Sequence, residues 1–94
     1  MTHKELTAMF RRQIKEAGIK ARVKMDKPLK GWPGAIMVNT PTYEASFTPE
    51  EAVTIANIAI DNGFTNIRGM PINKEIVAMT GSKKQYFECP QTRG

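Results

Sequence analysis

Between Gly18 and Pro28 the chain reads GIKARVKMDKP, with Lys20, Arg22 and Lys24 at alternate positions and Ile19, Ala21, Val23 and Met25 between them. A period of two puts the cations on one face of a strand and the apolar residues on the other. Such a row can hold phosphates or acidic side chains, although the wet face of an edge strand also carries lysines simply to discourage pairing with another chain. Lys27 and Lys30 continue the series into DKPLKGWPGA, where Trp32 stands between Gly31 and Pro33. Exposed beside Lys30, that ring is a stacking platform or an interface anchor; folded inward, it plugs the core. Arg11, Arg12 and Lys15 lie just upstream and add to the charge.

Little else in the sequence is suited to chemistry. A nucleophile needs a base within hydrogen-bond reach, and the single histidine, His3, falls on a first helical turn where it is expected to be exposed. Cys89 is the sole cysteine, so it forms no internal disulfide, belongs to no Cys/His metal set, and reads as a small buried hydrophobe in a strand. Gly31 and Gly34 are not followed by the lysine and helix of a phosphate loop. Glu50 and Glu51 complement the positive end of a helix and need no acid/base role. No catalytic residue, metal ligand or cofactor is therefore assigned, and the chain is not read as an enzyme.

The charge is unevenly distributed. Nine of the fourteen Lys/Arg but only three of the nine Asp/Glu fall in residues 1–30, so that third carries +6 and the remainder −1. A basic first third raises the expectation of a polyanionic or acidic partner. Ninety-four residues make one small domain, 1–94. No apolar run approaches the roughly 20 residues of a membrane span, the N-terminus is not a cleaved signal, and an unpaired cysteine fits the reducing cytoplasm.

The elements that must position these residues are legible as patterns. THKE begins with a capping box, and Leu6, Met9, Phe10, Ile14 and Ala17 form one helical stripe ending at Gly18. The basic strand follows, then a loop to an antiparallel partner with Trp32 at its tip. AIMVNT and TYEASF read as strands separated by a turn at Pro41, with Ile36, Val38, Tyr43, Ala45 and Phe47 inward. TPEE caps a second helix that stops at Gly63 and should be the most buried element. Phe64, Ile67, Met70 and Ile72 are apolar anchors, NKEIVAMTG a short helix capped by Asn73, KQYFECP a last strand, and residues 91–94 a loose tail. The resulting expectation is an α+β fold of α-β-β-β-α order, a three- to four-stranded antiparallel sheet against two main helices, plus a short C-terminal helix and strand. Its core comprises Leu6, Phe10, Ile14, Val23, Val38, Phe47, Val53, Ala56 and Ile60.

That order, through Asn62, resembles the double-stranded RNA-binding domain, in which a lysine cluster at the start of the second helix straddles phosphates; here Glu50 and Glu51 occupy those positions. In texture, KEAGIKARVKM leading into a strand and a later Thr-Pro-Glu cap resemble small phage and mobile-element accessory domains of the large-polyvalent-protein-associated type. This likeness implies a phage-type stoichiometric inhibitor, of which anti-CRISPR proteins are one sort. The function expected is docking on nucleic acid or a nucleoprotein complex, with Lys20, Arg22 and Lys24 at the centre, Lys27 and Lys30 extending the contact and Trp32 stacking or inserting. The alternative is a protein inhibitor or adaptor whose basic face meets an acidic protein surface.

Overall fold

In the first helix, α1 (His3–Glu16), an apolar residue at every fourth position seals Phe10 and Ile14 against the sheet, while Leu6 packs partly against the same core. The computed structural model describes residues 3–27, 29–67, 70–80 and 83–89, so the Thr2 cap and the 91–94 tail lie outside the described residues. The end of α1 is closed by a Schellman motif, Ile19 N–H donating to Ile14 O at 3.2 Å and Gly18 N–H to Lys15 O at 2.9 Å. Gly18 stands at φ +78°, which costs a residue with a Cβ about 1 to 2 kcal/mol. Ala17, on the expected apolar stripe, is exposed because this turn lifts it off the core.

Strand β1 (Arg22–Asp26) follows, and a hairpin leads to β2 (Ala35–Asn39), paired antiparallel with Val23 opposite Val38. Leu29 and Trp32 exchange backbone hydrogen bonds at 3.0 and 2.9 Å, making Lys30 and Gly31 the tip and setting Trp32 one step back from it. Gly31, at φ +80°, supplies the reversal.

Residues 41–48 depart from the sequence expectation. TYEASF forms no strand: Tyr43 is 95% exposed, Ala45 only half-buried, and Phe47 alone reaches the core. Both edges of β2 are occupied, by β1 and by the last strand, so the following segment cannot fold back to pair with the strand it leaves. It is held instead by local bonds. Thr40 Oγ1 donates to Thr42 O at 3.0 Å, and Lys83 Nζ donates to Tyr43 O and Ala45 O, each at 3.0 Å.

The second helix, α2 (Pro49–Asp61), opens on the expected capping box, with Thr48 and Glu51 each bonding the other's backbone N–H. Its buried line is Ala52, Ile55, Ala56 and Ala59, at i, i+3, i+4 and i+7. Val53 and Ile60 lie about 100° off that line, which leaves Val53 half-buried and Ile60 41% exposed rather than in the core. The deepest burial belongs to β2, flanked on both sides, where Ala35, Ile36 and Val38 are each 0% exposed.

After α2 come β3 (Asn66–Ile67) and β4 (Met70–Pro71), a short ladder in which Met70 is 55% exposed instead of an anchor. Helix α3 (Lys74–Thr80) follows, capped as expected by Asn73 Oδ1, which accepts from Glu75 and Ile76 N–H. The final strand, β5 (Lys84–Glu88), inserts between β2 and β3, giving an all-antiparallel sheet of order β1-β2-β5-β3-β4. Among the described residues the fold is thus α+β with five strands and three helices in the order α-β-β-α-β-β-α-β, not α-β-β-β-α with a three- or four-stranded sheet. No helix among the described residues is long and apolar enough to cross a membrane.

Phe10, Phe64 and Phe87 form the centre of the core, with ring centroids 5.6 to 6.3 Å apart. Cys89 is buried, and desolvation pushes its thiol up to about 11. Gln85 is the anomaly. Fully buried beside Phe87, it donates to Ala52 O at 3.1 Å, but its Oε1 finds no donor among the described residues. An orphaned buried acceptor costs about 1 to 3 kcal/mol and one neutral hydrogen bond returns about 1. Gln85→Leu should therefore raise the denaturation midpoint by the equivalent of ~1 kcal/mol; a lower midpoint would show that Oε1 is satisfied in solution.

Candidate functional site

Alternation along the sheet separates two faces. Val23, Ile36, Val38, Gln85 and Phe87 lie under the helices, and Arg22, Lys24, Met37, Asn39, Lys84 and Tyr86 lie on the other side. Across the strands, that other side forms three rows: Arg22, Asn39 and Lys84; Lys24, Met37 and Tyr86; and Asp26, Ala35 and Glu88. Cations thus occupy one end of the face and carboxylates the opposite end.

At the outer edge of β1 the expected cations converge. Arg11, Lys15, Lys20, Arg22 and Lys24 surround a groove of about 610 Å³ whose floor includes Ile14, Ile19 and Val23. No carboxylate among the described residues lines it. Among the described residues no ion pair joins Lys15, Lys20, Arg22 or Lys24 to an acid. Helix and strand charge meet here because β1 is an edge strand and the end of α1 packs beside it.

Arg11 has a second role that the sequence did not disclose. Its Nε and Nη2 donate to Val23 O at 3.2 and 2.8 Å, clasping a carbonyl that would otherwise be open on the sheet edge. The charge remains in the groove while two of its five N–H donors are committed. Arg12 is not part of the groove. It lies 4.0 Å from Glu16, with both side chains 67% exposed, a pair worth little. Lys27 and Lys30 are exposed on the hairpin, away from the groove.

Trp32 neither plugs the core nor projects freely. Half-buried, it lies nearly parallel to Tyr86, with rings at 10° and centroids 6.5 Å apart, within the range of offset stacking. Tyr86 is the residue the sequence reading missed; the alternation of KQYFE, with Phe87 inward, was the signal for it. Its hydroxyl donates to Asp26 Oδ2 at 2.9 Å. Desolvation, this hydrogen bond and the nearby charges of Asp26 and Glu88 push the phenol up to about 12 from 10. A raised phenol pKa stabilises the fold below pH 10, and that contribution is lost as the pH climbs through 12. In a Tyr43→Phe background, where Tyr86 is the only tyrosine, Asp26→Asn should lower the absorbance-titration midpoint part of the way towards 10. Circular dichroism separates this from unfolding, and an unmoved midpoint would remove Asp26 from the explanation.

His3, expected to be exposed, is half-buried, with Nε2 3.0 Å from Pro33 O; the return of the hairpin towards the start of α1 provides the contact. Among the described residues no three His, Cys, Asp or Glu converge to hold a metal. A second concavity of about 390 Å³ between α3 and the β3–β4 hairpin is lined mainly by Ile67, Met70, Ile72, Ile76 and Val77, and Lys84 is the one ionisable residue among the described residues of its lining. Asn73 and Thr80 also line it, but each is already hydrogen-bonded to the backbone of α3. Comparison with known proteins finds no matching family model, no matching curated protein and no matching solved structure.

Proposed function

We propose that the protein is a non-enzymatic binding module that docks on nucleic acid, free or within a nucleoprotein complex, through the groove at the edge of β1. The observation that carries this reading is the convergence of Arg11, Lys15, Lys20, Arg22 and Lys24 around an apolar floor with no acid in the lining. Like charges gathered without counterions repel one another, and a polyanion relieves that repulsion while its own counterions are released. Such a module acts by occupying a surface, which accords with a phage-type stoichiometric inhibitor of the anti-CRISPR sort.

Nothing in the groove reads base edges, so affinity is to be governed by salt more than by sequence. Five phosphate contacts give a log–log salt slope of about −3.5 on a single strand or −4.5 on B-form duplex, and roughly a hundredfold or greater loss between 50 and 200 mM salt. Fluorescence anisotropy with random-sequence oligonucleotides measures this directly. Absence of binding tighter than ~100 μM at 50 mM salt, the weak end of non-specific affinity, would overturn the reading and leave an acidic protein surface as the partner.

A further inference from the structure

We propose that the nucleic acid taken by this surface is single-stranded, its phosphates lying along the basic end of the open sheet face and a base stacking on the Trp32–Tyr86 pair. This inference rests on the function proposed above and carries the contact from the β1-edge groove, through Arg22 and Lys24, onto the adjoining sheet face.

Three observations carry it. First, Gln85 is bonded to α2, Phe87 is packed on α1 and α3 packs against α2, so among the described residues the helices gather on one side of the sheet and none is placed on the other face of β1, β2 and β5, although Ala35, at the hairpin end of that face, is fully buried. Second, that other face has a polarity. Arg22 and Lys24 stand at one end, Asp26 and Glu88 at the other, and Lys24 reaches Tyr86 across Met37 alone. With strands about 4.8 Å apart, Lys24 and Tyr86 are separated by about 10 Å, a span that one nucleotide can bridge from phosphate to base. The carboxylates at the far end repel phosphates and so confine the backbone to the Arg22 and Lys24 side. Third, the aromatic pair is preorganised. The Leu29–Trp32 backbone bonds fix the hairpin, and the Tyr86 hydroxyl is tied to Asp26, so ring positions are set before a base arrives.

A duplex keeps its base faces stacked inside the helix and offers only phosphates to such a platform, whereas a single strand can lay an unstacked base on an aromatic ring. The same cations therefore hold both forms, and only the single strand gains the stacking contribution.

The test uses the intrinsic fluorescence of Trp32, the sole tryptophan. Titration at 100 mM salt is made with a 15-nucleotide single strand, the matching blunt duplex and inorganic polyphosphate. The single strand is expected to quench Trp32 and to bind at least about fivefold more tightly than the other two. By anisotropy, Trp32→Ala should weaken single-strand binding by about five- to hundredfold while leaving duplex affinity and the salt slope unchanged. Trp32→Phe should restore most of the loss, which separates stacking from damage to the fold. Equal affinity for all three polyanions, with fluorescence unmoved, would overturn the single-strand inference and leave the binding function standing. Failure to bind any of them would overturn both.

Discussion

Replacing Lys20, Arg22 and Lys24 together by alanine lowers the affinity for a random single-stranded oligonucleotide roughly hundredfold at 0.1 M salt and flattens the log–log salt slope by about 2. The magnitude follows from counterion release, since every phosphate left without its cation takes about 0.7 from the slope and weakens binding about fivefold at that salt concentration. The three side chains are exposed and pair with no carboxylate among the described residues, so their removal should change folding stability by less than about 0.5 kcal/mol. Arg12→Ala provides the control. It deletes a cation of the same helix that lies outside the groove, and it should shift affinity less than about twofold. If the comb serves only to keep the β1 edge from pairing, the outcome reverses: the triple variant binds like the parent and self-associates instead. Anisotropy and light scattering on the same samples distinguish the two.

Phe87→Ala is the substitution expected to cost the most stability, about 3 to 5 kcal/mol. Phe87 is fully buried on the central strand, touches both Phe10 of α1 and Phe64 beyond α2, and stands opposite Ile36 on one neighbour and Ile67 on the other. Truncation therefore opens a cavity where two helices and three strands meet. Domains of this kind retain only about 5 to 15 kcal/mol in total, so the variant should lose a large share of its urea resistance and melt at least about 12 °C lower. Ile60→Ala, removing a similarly apolar side chain from a site 41% exposed, should cost below about 1 kcal/mol. Comparable losses at both positions would mean that the Phe cluster is not the organising centre of the fold.

Much of the local architecture is legible in the sequence. The Thr48–Glu51 capping box, the Gly18 and Gly63 stops, the Asn73 cap, the antiparallel hairpin and the last strand are all present. The departures share a cause. TYEASF alternates like a strand, but a strand also needs a free edge, and β5 occupies the one beside β2. Val53 and Ile60 are apolar enough for a core, yet the alanine line of α2 faces the sheet and turns them outward. Trp32 stands out in the sequence while its partner Tyr86 does not, because their stacking joins segments far apart in the chain.

By itself the sequence determined where α2 and α3 begin, where α1 and α2 stop, which side of β1 is charged, and that the positive excess resides in the first third. Those properties arise from caps, periods and composition, each contained within a turn or a strand's length. Only the tertiary structure decided that Arg11 and Lys15 join the strand cations while Arg12 does not, and that β5 lies between β2 and β3. It also decided that Trp32 rests on Tyr86. Long-range pairing is a competition among all the strands for a few free edges and all the apolar faces for one core, and no short stretch of chain contains the result of that competition.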